Sequence, residues 1–268
     1  MSARAQRRSS DAQVVSAQVQ LAVAELQAQR ERELREEEER SKAKQVLDRY
    51  RGPLLDAAWQ LGNRIDNLRH RGFLRYLAEG SGREQDAKLT TLFRFAQYFG
   101  WREFVRAEVQ LLRFENERDT RLVSRFLNDV AWILSSDAFD CGRAMLWADE
   151  QRGIGQLMAN ARPESPPVRG HAAFHRDYDD VFAPWLERFA ADVLSPAAVK
   201  GDRLRLLQWA LFGLVQRLDD EREYGASEWE SRAEHEIREA ASAKPVAKPE
   251  TRLREDLAEL GILGAVRE

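Results

Sequence analysis

The stretch DAKLTTLFRFAQYFGWREFVRAEVQLLRF, residues 86–114, decides the fold class. Its apolar and aromatic residues recur at helical spacing, with too few polar interruptions on one face for a surface helix. The spacing predicts a central, most buried helix, with Gly100 as the place where it would bend. Phe93, Phe95, Tyr98, Phe99, Trp101 and Phe104 are expected to be core, although the same aromatics would also suit a ligand pocket.

The helical period continues on both sides of this stretch. PLLDAAWQLGNRIDNLRHRGFLRYLAEG, residues 53–80, places Leu55, Trp59 and Gly62 on one row and Leu61, Ile65 and Leu68 on another. Gly80-Ser81-Gly82 is expected to end that helix. Further helices are predicted over residues 120–135, 143–161, 177–194 and 201–220. In the second of these, Gly153 and Gly155 mark expected close backbone approaches. Sustained period-2 alternation occurs nowhere, so strands are not expected. The fold class is therefore all-α: a multi-helix bundle body over residues 50–222, with appendages at both ends.

The N-terminal appendage is a charged stalk over residues 11–49, preceded by ten residues expected to be disordered. AELQAQRERELREEEERSKAKQ, residues 24–45, is built from strong helix formers and is nearly free of core-type residues. Val15, Val19, Ala22 and Leu26 form a short apolar seam that Leu34 continues poorly. A polar helix this long is expected to pair with a second copy or a protein partner, in coiled-coil fashion. Gly52-Pro53 is expected to interrupt it and begin the body.

At the other end, residues 223–250 predict a frayed polar helix running into a Pro/Lys/Ala linker. TRLREDLAELGILGAVRE, residues 251–268, then places Leu253, Leu257 and Leu260 on one face of a short amphipathic helix. Pro245 and Pro249 are expected to hold that stripe away from the body. The three leucines are the candidate partner-binding residues, docking in a groove of this protein or of another.

Four segments in order, LDRYRGPLLDAAWQLGNRIDNL, FRFAQYFGWREFVRAEVQLL, DEQRGIGQLM and RLRLLQWALFGLVQRLDD, carry a resemblance. Across residues 47–220 the chain resembles a family of uncharacterised bacterial all-helical proteins, some with a membrane-spanning helix before a charged stalk. The resemblance implies the helical fold and supplies no activity or functional residue. The corresponding segment here, residues 14–26, contains Gln18, Gln20 and Glu25 and is too polar to span a bilayer.

Composition narrows the functional classes. Of 268 residues, 43% are hydrophobic, enough for a core, and 32% are charged, which suits long solvated helices. A net charge of −3 gives no global attraction for nucleic acid or anionic lipid. A single cysteine, Cys141, precludes an internal disulfide and fits a reducing compartment. No secretory signal is evident. The expectation is a cytoplasmic protein that touches membrane at most peripherally.

The sharpest chemical suggestion is GHAAFHRDYDD, residues 170–180. His171 and His175 lie one helical turn apart and Asp179 continues the series, so the three would serve as a metal-ligand set. H-x-x-x-H without the internal glutamate of the metalloproteases is, however, common by chance, and the stretch follows Pro166, Pro167 and Gly170, where a polar helix start is expected. No metal or other cofactor is therefore expected. Asp140 and Gly142 beside Cys141 suggest a turn, and RGIGQ lacks the Lys-Ser/Thr of a phosphate loop. Arg64, Arg69, His70, Arg71 and Arg75 form the best basic patch, interrupted by Asp66 and Glu79. The functional expectation is a non-enzymatic interaction or scaffold module. The alternatives are an enzyme or ligand-binding bundle using His171, His175 and Asp179, and a peripheral membrane protein.

Overall fold

A computed structural model describes residues 3–110, 118–139, 143–160, 166–219, 224, 227–245 and 248–263. Helix α1 spans Ala3–His70 and α2 spans Glu84–Gln110, joined by a short 3-10 helix at Phe73–Leu77. Next come α3 (Arg118–Ser135), α4 (Ala148–Leu157) and α5 (His171–Arg176). A π-helical turn at Tyr178–Phe182 leads into α6 (Ala183–Val193) and α7 (Pro196–Val199). The chain closes with α8 (Asp202–Leu218), α9 (Glu228–Ala240) and α10 (Lys248–Glu259). Among the described residues there are no strands, only a single bridge between Ala159 and Val168. The fold is an all-α bundle.

Helix α1 corrects two boundaries. It is described from Ala3, inside the ten residues expected to be disordered, and it runs unbroken through Gly52 and Pro53. Pro53 forfeits one main-chain hydrogen bond, yet Leu54, Leu55, Ala57, Ala58 and Leu61 just beyond it are all buried. Burying that row offsets the proline penalty of about 3 kcal/mol. Tyr50 is the first buried side chain among those described, and those from Val23 to Glu38 are all exposed. The helix also stops ten residues before Gly80, because Gly72 adopts a left-handed conformation at φ 65°.

The most enclosed element is α8 rather than α2. Leu204, Leu206, Leu207, Trp209, Ala210, Leu211, Phe212, Leu214 and Val215 are buried, so α8 is covered on every side. It sits between α1 and α3, while α2 packs on α1 and α4. Helix α2 buries Phe93, Phe95, Tyr98 and Phe99, but leaves Trp101 and Phe104 half-buried at its end. Gly100 lies within the continuous helix. A side chain there would press within 2.9 Å of Met158 and Val168, so this glycine serves packing. The expected close approach at Gly155 is present, since a Cβ would lie 2.7 Å from the carbonyl oxygen of Phe99.

Arg203 ties α8 to the end of α3. It is 4% exposed and donates hydrogen bonds to the carbonyl oxygens of Ile133, Leu134 (3.1 Å), Ser136 (2.8 Å), Phe139 (3.3 Å) and Arg143 (2.8 Å). These include carbonyls that the C-terminus of a helix leaves unpaired, where a cation is also favoured by the helix dipole.

The two C-terminal segments depart most from expectation. Residues 228–240 form a packed helix, not a frayed one: Ser227 and Glu230 make a capping box, and Trp229, Ala233 and Ile237 are buried. The ring of Trp229 lies on Gly62, where a Cβ would come within 2.6 Å of it. Helix α10 then folds back against α3 and α8, with Leu253 and Leu257 fully buried and Leu260 partly so. The stripe is therefore part of the core. Pro249 lies buried in the first turn of α10, and neither it nor Pro245 holds the helix off the body, because the apolar face gains more by burial than by solvation.

Candidate functional site

The end of α1, the 3-10 helix and the first turns of α2 border an open pocket of about 430 Å³. Its formation follows from the left-handed Gly72, which turns the chain so that Phe73 and Tyr76 stand opposite α2. Arg64 comes from α1, and Arg83, Asp86 and Thr90 come from the start of α2. The Arg64 guanidinium lies 4.1 Å from the centre of the Phe73 ring. Its Nη1 is enclosed without a hydrogen-bond partner, and burial, followed by the charge of Arg94, pushes its pKa down to about 10. It therefore remains a cation at neutral pH, held at a cost.

His171 sits near this corner. Its ring meets Phe93 edge-on at 5.1 Å and lies 6.1 Å from the ring of His175. Burial, then the charges of His175 and Arg94, lower its pKa, with Asp86 opposing. His171, His175 and Asp179 are all exposed, and the π-helical turn beginning at Tyr178 breaks the α-helical register between the histidines and Asp179. Among the described residues, no three His, Cys, Asp or Glu side chains are arranged to hold one ion. Cys141 lies outside the described residues.

The basic patch is divided among different partners. Arg69 donates to Glu236 at 3.1 Å through both terminal nitrogens, and also to Gln208. Arg71 pairs with Glu228 and with Asp66 at 3.3 Å. Arg75 donates to the Tyr76 hydroxyl at 3.1 Å and stacks over the same ring. Of these arginines, Arg64 is the one that lines the pocket. Asp66, which seemed from sequence to weaken a patch, is a buried hub: it accepts from Arg232 at 2.8 and 2.5 Å and from Gln208 at 3.3 Å. Burial would raise its pKa, but Arg232 outweighs that and holds the carboxyl below the ordinary range.

A second polar cluster, between α3 and α10, was missed by sequence reasoning. Asp129 is 1% exposed and Asp256 2%, and their carboxyls meet within the protein. Arg252 lies 3.2 Å from Asp129, and Arg125 lies 3.0 Å from Asp256. Burial, then the facing Asp256, pushes the Asp129 carboxyl up to about 8, against the opposing pull of the two arginines. The buried hydroxyl of Tyr98 also lacks a partner, and burial raises its pKa, with Arg102 opposing and Asp129 adding to the rise. The signal was legible in principle: Asp129 lies on the apolar row of Phe126, Val130 and Ile133, and Asp256 lies among Leu253, Leu257 and Leu260.

Leu253 and Leu257 themselves offer no surface to a partner, since both are 0% exposed. This corrects their assignment as partner-binding residues. No protein family, curated protein or solved structure matches this chain.

Proposed function

We propose that this protein is a non-enzymatic interaction module whose body presents α1 to another helix. The carrying observation is the contrast along α1: buried side chains start at Tyr50, whereas Val23, Leu26 and Leu34 are 47%, 51% and 65% exposed. At 1.5 Å per residue, the part before Tyr50 is roughly 70 Å long. Exposed pairs such as Glu31 with Arg35, 3.4 Å apart, and Gln29 with Glu33, 3.1 Å apart, support the helix only by a few tenths of a kcal/mol each. Such a helix gains more by pairing along the seam of Val15, Val19, Ala22 and Leu26. Val15, Val19 and Ala22 are outside the described side chains.

No described helix is long and apolar enough to cross a membrane, and the proposed role needs no membrane. The partner is a second copy or another helical protein, and the compartment expected from the single cysteine is the cytoplasm. Sedimentation equilibrium and pull-downs of the full chain test this, with Val19→Glu plus Leu26→Glu as the variant. Association that the double variant abolishes, with an unchanged melting temperature, supports the role. If the wild type is monomeric and both chains retain the same partners, α1 has no associative function.

A further inference from the structure

We propose that the pocket between the end of α1 and the start of α2 binds a small organic anion, a carboxylate or phosphate attached to a flat apolar group. The inference is independent of any role of the N-terminal stalk.

Charge carries the first part. Two guanidinium groups, Arg64 and Arg83, border the pocket, and neither has an ion-pair partner among the described residues. Arg94 adds positive charge close to Arg64. Asp86 is the acidic group on the pocket wall and leaves a positive balance. Charges taken out of water are normally paired, because an uncompensated one costs several kcal/mol. Arg64 departs from that rule: it is half-buried, its Nη1 is enclosed without an acceptor, and its pKa is depressed. An anion in the pocket would compensate the delocalised charge without having to reach Nη1.

Shape and chemistry carry the second part. A volume of about 430 Å³ falls within the range of small-molecule sites, roughly 300–1,000 Å³. Phe73 and Tyr76 supply aromatic surface, and both are already braced by a guanidinium, Arg64 over Phe73 and Arg75 over Tyr76. Thr90 spends its hydroxyl on the Asp86 carbonyl at 2.5 Å, so ligand recognition rests on the arginines and the rings. Arg83 is exposed and free to fold over a bound anion, whereas Arg64 is fixed by its stack on Phe73.

The test is calorimetric titration of the full-length protein with phenyl phosphate and with benzoate, at constant ionic strength, with phenol as the uncharged counterpart. One-to-one binding of at least one anion, with phenol much weaker, is expected. Arg83→Gln should weaken it about tenfold or more, as expected for losing a charge-assisted contact. Asp86→Asn should tighten it by removing a repulsive charge. Both positions are exposed, so these variants keep the test valid if Arg64→Met fails to fold. Absence of saturable binding by either anion, or affinities that do not follow the two charge changes, overturns the proposal.

Discussion

Asp129 on α3 and Asp256 on α10 place two carboxyls against each other in the protein interior, and two arginines only partly neutralise them. Like charges this close disfavour full ionisation, so a retained proton on Asp129 stabilises the docked α10. The raised pKa fixes the sign. The folded state holds the proton up to about pH 8, whereas the unfolded carboxyl loses it near pH 4. The stabilisation is complete below pH 4 and is lost progressively as pH rises towards 8, by at most about 1.4 kcal/mol per pH unit.

Asp129→Asn should therefore flatten the fall in melting temperature between pH 5 and pH 9 and leave the variant more stable than wild type at pH 9. Asp66 acts with the opposite sign, since its lowered pKa contributes stability that is lost only as pH falls into the acidic range. Thermal melts of both proteins across this range check the assignment. An identical pH dependence in wild type and variant would show that Asp129 does not hold the proton.

What sequence disclosed, and what it hid, follows from the range of the interactions. Helical periodicity is local, so the bundle, the burial of Phe93 to Phe99 and the close approach at Gly155 could all be read from spacing. Side-chain pairing across helices is not local. Arg69 and Arg71 looked like a basic surface because Glu236 and Glu228 stand more than 150 residues away in sequence. The same holds for α9, whose polar composition hid Trp229 and Ile237. Two or three large buried side chains suffice to dock a helix that is otherwise solvated. Prolines also misled twice, at Pro53 and at Pro245 with Pro249, because tertiary burial outweighed a local penalty. Of the pocket, sequence disclosed Arg64 but not its separation from the other arginines, which depends on the left-handed Gly72.

The core aromatics should separate by enclosure. Phe95 is 0% exposed and meets Phe189 edge-on at 4.9 Å, so Phe95→Ala should cost about 3–5 kcal/mol. Trp101 is only half-buried, against Tyr50 and Phe104, and Trp101→Ala should cost clearly less. Urea unfolding of the two variants measures the difference directly. Equal losses would mean that the α2 terminus is as tightly enclosed as its middle.

Removing both exposed histidines, His171→Ala with His175→Ala, should leave the melting temperature nearly unchanged. Neither is a hub of the fold, and the pair lacks a third ligand in register. Elemental analysis of dialysed wild-type protein is the companion measurement. One equivalent of zinc that disappears in the double variant would restore the metal reading.

Helix α10 should behave as part of the cooperative core. Leu253 and Leu257 are fully buried against α3 and α8, and Arg254 donates to the Ala243 carbonyl at 2.7 Å, fastening the turn that returns the helix to the body. Leu253→Ala is thus expected to cost about 2–5 kcal/mol, the usual range for an emptied leucine site. Leu257→Asp should cost more, because it puts a carboxylate into a fully buried apolar position. Hydrogen exchange distinguishes the two structural possibilities. In a docked helix the amides of α10 exchange with the protection of α3 and α8, and Leu257→Asp removes that protection while lowering global stability. Amides that exchange freely in the wild type, with stability unchanged in the variant, would describe a tail that merely lies along the bundle.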